Sequence, residues 1–128
     1  MGDRGHIVIE QYGDESTPVV LYSHWQASRL PEILAESLSH KERWGDHEYL
    51  ARIIFDELSA CSSEFTGCGI GTEIHSDAWR VINVDPDEQE ITFATCSGYT
   101  TDKYGGEVYS FEEFVEEFTP VQYKSSTE

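Results

Sequence analysis

79-Trp-Arg-Val-Ile-Asn-Val-Asp-Pro-Asp-Glu-Gln-Glu-Ile-Thr-Phe-Ala-Thr-95 is the stretch that decides the fold. Trp79 to Val84 and Ile91 to Thr95 are rich in β-branched and aromatic residues, the composition of strands that lie half-buried in a sheet. Between them, Asp85-Pro86-Asp87-Glu88 is a turn with a mechanism, because proline fixes φ and the aspartates bond local backbone amides. The pair predicts a β-hairpin, and a hairpin predicts an antiparallel sheet.

Working outward, His6 to Glu10 and Val19 to Tyr22 are two further β-rich runs on either side of Gly13-Asp14-Glu15-Ser16, a second hairpin. Leu30, Ile33, Leu34 and Leu38 then recur at helical spacing, with Ser28 as the expected N-cap and Pro31 tolerated in the first turn. Asp46 is the expected cap of a second helix whose apolar stripe is Tyr49, Leu50, Ile53, Ile54 and Leu58 and which runs to about Ala60. Cys68 to His75 predicts a strand, Ser97 to Gly106 a polar loop, and Glu107-Val108-Tyr109 a short strand. Ser110-Phe111-Glu112-Glu113 is a capping box ahead of a third helix with Phe111, Phe114, Val115 and Phe118 on one face, ended at Thr119-Pro120. The order β-β-α-α-β-β-β-β-α predicts an α+β fold: an antiparallel sheet with helices packed on one face. One domain over residues 1–123 and a frayed tail over 124–128 complete the expected organisation.

Charge bounds the surroundings. The 128 residues carry 25 Asp and Glu against 8 Lys and Arg, a formal net charge of −17. Only Lys41, Lys103 and Lys124 are lysines, whereas 17 of the acids are glutamates, so short hydrated carboxylates stand where lysine stems usually cover a surface. Net charge is −3 over residues 1–43, −6 over 44–85 and −8 over 86–128. An acidic excess in every third fits a halophile's surface better than a nucleic-acid mimic, which would gather its acids on one face. Direct nucleic-acid binding is disfavoured, because neutralising phosphates needs clustered Lys and Arg. No run approaches the roughly 18 apolar residues of a membrane span. The leading Met1 to Gly5 runs into a strand and not into an apolar signal region, and three cysteines form no paired framework, so a cytoplasmic protein with reduced thiols is expected.

Four side chains are the candidate ligand contacts: Tyr22, His24 and Trp25, where the second strand runs out, and Arg52 on the second helix. Ser23 and His24 are neighbours on a strand and point to opposite faces, so they cannot form a nucleophile and base pair. The structural reading makes Trp25 a core residue and bonds His24 to a loop carbonyl. For Arg52, Glu48 and Asp56 stand four residues to either side and predict ion pairs along its own helix, while Arg43 reads as a solvated loop arginine. No catalytic residue is assigned and no cofactor is expected.

Cys61, Cys68 and His75 recur every seven residues, with Cys96 as a further soft ligand, but zinc sites are built from knuckles with two to four residues between ligands. No metal site is expected. Gly67, Gly69 and Gly71 precede strand-like residues, not the helix a phosphate loop needs, and their alternation leaves one strand face bare for another element to pack on.

Gly2 to Ile7, Val20 to Trp25, Arg43-Trp44, Tyr49 to Phe55 and Thr66-Gly67 resemble a set of uncharacterised small proteins of tailed viruses, plasmids and integrated elements of actinobacteria and haloarchaea, most specifically in Leu21-Tyr22-Ser23-His24-Trp25. The resemblance covers about two thirds of the chain and implies a setting in a mobile element, with no activity or site residue to carry over. The expectation is an accessory module that meets a protein partner, without catalysis. The alternatives are a small hydrolase or nucleotide-binding enzyme using His24, Tyr22 and Arg52, or an acidic nucleic-acid mimic.

Overall fold

In the computed structural model, which describes residues 4–11, 17–41, 43–61, 67–74, 78–94 and 104–119, the strands are β1 (Gly5–Ile9), β2 (Val19–Ser23), β3 (Cys68–Gly71), β4 (Arg80–Asp85), β5 (Glu90–Ala94) and β6 (Val108–Ser110). The helices are α1 (Leu30–Ser39), α2 (His47–Cys61) and α3 (Phe111–Phe118), with a single 3-10 turn at Ala27–Arg29 before α1. The fold is α+β, and its element order is the one the sequence predicts. The expected tail at 124–128 and most of the loop from Ser97 lie outside the described residues.

The sheet is ordered β3-β2-β1-β4-β5-β6. Four junctions are antiparallel, and β1 lies parallel to β4, with Gly5 opposite Arg80 and Ile9 opposite Val84. The sheet is therefore mixed, because the two hairpins join through their first strands.

Period two along the strands sorts the faces. Ile7, Ile9, Leu21, Ile82, Val84, Ile91 and Phe93 point to the helices and share one core with Leu30, Ile33, Leu34 and Leu38 of α1, Leu50, Ile54 and Leu58 of α2, and Phe111 and Phe114 of α3. On the opposite face a smaller cluster forms from Val8, Val20 and Val81. No helix among the described residues is long and apolar enough to cross a membrane.

Local chemistry explains the element ends. Asp85 Oδ1 accepts the Asp87 and Glu88 amides at 3.0 and 3.2 Å, which makes the β4–β5 turn. In the capping box, Ser110 Oγ accepts the Glu113 amide at 3.1 Å, while the Ser110 amide donates to Glu113 Oε1 at 2.9 Å. Ser28 does not cap α1: it lies inside the 3-10 turn, and Arg29 takes the cap position without a side-chain bond. The turn is held instead from the sheet, where the buried Arg80 donates through Nη1 to the Ala27 carbonyl at 3.0 Å and the Ser28 carbonyl at 3.4 Å.

Gly5 lets that turn approach. A Cβ there would lie 2.9 Å from Ala27 Cβ, 2.9 Å from Leu30 Cδ1 and 3.1 Å from the Arg80 carbonyl oxygen, and the last is backbone that cannot swing away. Gly5→Ala is expected to destabilise the fold by about 1–3 kcal/mol, the range for overpacking a filled core. Urea unfolding of both proteins measures it, and a difference below about 0.5 kcal/mol, the range of a neutral surface change, would refute the steric account.

Candidate functional site

The end of β2 gathers aromatic side chains because alternate residues share a face. Tyr22 lies opposite His6, and their rings are 5.2 Å apart between centroids. His24 continues the row, with Nδ1 3.4 Å from Tyr22 Oη, and its ring meets Trp25 edge to face at 4.2 Å. Ser23 points to the other face and accepts the Gln26 amide at 2.9 Å, which turns the chain toward α1. The separation of Ser23 from His24 thus follows the period of the strand.

Trp25 is not core: it is 48% exposed at the end of the row. The indole lies one residue beyond the strand, where the Ser23 turn has already redirected the chain. His24 is bonded to a carbonyl outside the strands, through its backbone: its amide donates to the Gly67 carbonyl at 2.9 Å, joining β2 to β3, while among the described residues its ring meets Tyr22 Oη and not a carbonyl. Arg52 lies on the exposed side of α2, paired with Asp56 at 3.7 Å, and takes no part in the row. Of the four candidates, the structure brings together Tyr22, His24 and Trp25.

Beside this row lies the sheet's outer edge. Gly69 is opposite Tyr22 and Gly71 opposite Val20, and a Cβ on either glycine would have nothing within 4 Å. The expectation that another element packs on this bare face is not met among the described residues, where the space above both glycines is open. Ile70 between them is 63% exposed.

The spacing expectation for metal rests on Cys61 and Cys68, since His75 and Cys96 lie outside the described residues. Among the described residues no three His, Cys, Asp or Glu side chains gather into a possible cation site. Both thiols are half-buried, and burial raises the pKa of each, with the charges of Glu57 and Glu36 adding to the effect at Cys61.

Three arrangements escape the sequence. His47, fully buried at the start of α2, faces the Glu10 carbonyl through Nδ1 at 2.6 Å and Asp87 Oδ1 through Nε2 at 2.9 Å, partners 37 and 40 residues away. Arg43 has a left-handed φ of 59° and lays its guanidinium 4.7 Å from the ring centroid of Tyr49, which is exposed and not part of the buried face of α2 as the stripe predicts. Arg80 stacks on Trp79 at 4.5 Å and lines a cavity of about 290 Å³ with Pro31, Glu32, Tyr104 and Phe118. For the two arginines the advance signal is compositional, since with only 8 Lys and Arg in the chain each is a candidate for a structural role; nothing in the sequence marks the partners of His47.

No protein family, no curated protein and no solved structure matches the chain.

Proposed function

We propose that this protein is a salt-adapted accessory module that works by binding another protein, in the cytoplasm of a salt-loving host and in the setting of a mobile element. The observation that carries the reading is the exposure of Trp25 and Ile70 at one end and edge of the sheet. In a chain of net charge −17, large apolar side chains facing water beside a bare strand are the feature that most needs a partner. Two polar groups that could serve catalysis are occupied in holding the fold, Arg80 on carbonyls of the 3-10 turn and Ser23 on the Gln26 amide. A hydrolase built on Tyr22, His24 and Arg52 is favoured less, since Arg52 stands apart from the other two.

The test is affinity capture in about 2 M KCl, which removes adhesion through exposed charge, with wild type and Trp25→Ser compared side by side. A protein retained by wild type and lost from the variant is the expected result. Recovery of nothing, or equal recovery by both, would sink the reading.

A further inference from the structure

The β2–β3 ladder fixes which backbone groups of β3 are already used. The His24 amide donates to the Gly67 carbonyl, and the register places His24 opposite Gly67, so this is a hydrogen-bonded pair. Such pairs alternate in an antiparallel ladder, so Tyr22 with Gly69 and Val20 with Gly71 are hydrogen-bonded too. Cys68 and Ile70 therefore turn their N–H and C=O groups away from β2, toward the outer edge. Among the described residues no strand pairs with that side. Natural edges are usually blunted by lysine, proline or a bulge. Gly67 to Thr72 has none of these and no charge.

Resting on the reading of the chain as a partner-binding module, we propose that the outer edge of β3 receives an extended segment of a net basic partner protein as a seventh strand, with bulky apolar or aromatic side chains flanking Gly69 and Gly71.

Shape sets the side chains. On an added antiparallel strand, the residues opposite Gly69 and Gly71 sit at non-hydrogen-bonded positions, where Cα atoms come within about 4.5 Å. A large side chain there leans over the bare glycine toward Tyr22 or Val20, the packing that aromatic residues give to edge glycines. The side chain between them lies beside the exposed Ile70. Charge sets the partner: the contact strand is neutral, so the added strand needs no charge at its centre, while flanking Lys or Arg meets the acidic remainder of the molecule.

A second copy fits worse. Pairing two β3 strands about Ile70 sets Gly69 against Gly71 of the other molecule, leaves both glycines uncovered, and brings two net charges of −17 together.

The probe is the acetylated and amidated peptide Lys-Lys-Phe-Val-Phe-Lys-Lys, added to the full chain in about 1 M KCl, where exposed charges are strongly screened, with amide hydrogen exchange followed by NMR. Protection is expected to rise at Cys68 and Ile70, and little at Gly69 and Gly71, whose amides are already bonded. The same peptide with an N-methylated valine should lose it. Ile70→Pro removes one outward amide and leaves the β2–β3 ladder intact, since edge strands tolerate proline. It should weaken the peptide roughly threefold to tenfold, the worth of one hydrogen bond.

Gly69→Val is the second variant, because it should fold at least as stably as wild type while filling the space the partner needs. It too should bind the peptide more weakly. Equal binding by wild type and both folded variants would overturn the proposal. So would a free chain that sediments as a dimer and becomes monomeric with Ile70→Pro, which would make the occupant a second copy. A protein captured through Trp25 but indifferent to Ile70→Pro and Gly69→Val would leave the partner-binding reading standing and remove strand addition.

Discussion

Replacing His47 with alanine is expected to destabilise the protein by about 2–4 kcal/mol, from a buried cavity together with lost hydrogen bonds to a carbonyl and a carboxylate. Both partners are acceptors, the carbonyl always and the carboxylate when ionised, so both ring nitrogens can donate only when the ring is protonated, and the two contacts favour the imidazolium form of His47. Burial works to lower its pKa, but the bond to Asp87, the bond to the Glu10 carbonyl and the charges of Asp87 and Asp85 outweigh it, and the pKa is raised above 6.5. The cation also sits at the start of α2, the unfavourable end of the helix dipole, so these acceptors offset that repulsion as well.

A pKa raised on folding makes stability a function of pH with a definite sign. The contribution of His47 is fully present below 6.5 and is lost as pH rises through the higher folded value. His47→Gln removes the titration while keeping an amide donor. The measurement is urea unfolding of both proteins from pH 5.5 to 8.5 in constant molar KCl. The gap between wild type and variant should narrow with rising pH; a gap that stays constant would mean that His47 does not carry its charge in the fold.

His47 also shows where sequence reading stops. Strand and helix positions were legible because they depend on local periodicity: the stripe Leu50, Ile54, Leu58 is buried, and the box at Ser110 and Glu113 closes. The pairing of β1 with β4 was not legible, since nothing within either run marks a neighbour some 75 residues away. His47 failed for the same reason; its partners come from the end of β1 and the β4–β5 turn, which meet only once the sheet has formed.

The candidate site divides in the same way. Tyr22 and His24 share a face by strand period, and their row could be anticipated. Trp25 could not, because hydrophobicity alone makes an indole core, and only the Ser23 turn carries it to the surface. That the glycines of β3 leave a face bare is legible in their alternation, but what lies above bare glycines is a tertiary fact.

Desalting is expected to lower the thermal midpoint by roughly 8 °C or more between 2 M and 0.1 M KCl, corresponding to about 2 kcal/mol in a chain of this length. Folding gathers carboxylates that the unfolded chain spreads apart, and the Debye length grows from about 3 Å at 1 M to about 10 Å at 0.1 M. Helix α3 shows the local form of this effect. Glu112, Glu113, Glu116 and Glu117 are exposed along eight residues, no basic residue lies in the last turn, and Glu112–Glu116 and Glu113–Glu117 are like-charged at i,i+4. Each such pair costs roughly 0.2–0.5 kcal/mol when unscreened. Glu117→Lys turns one of them into an attractive pair, so it should raise the midpoint at 0.1 M and change it little at 2 M. Screening also saturates, so most of the gain should come below 1 M, whereas exclusion of salt from the surface would keep adding stability above it. A midpoint flat from 0.1 to 2 M would refute the salt-adapted surface and leave the −17 charge to be explained by a cationic partner alone.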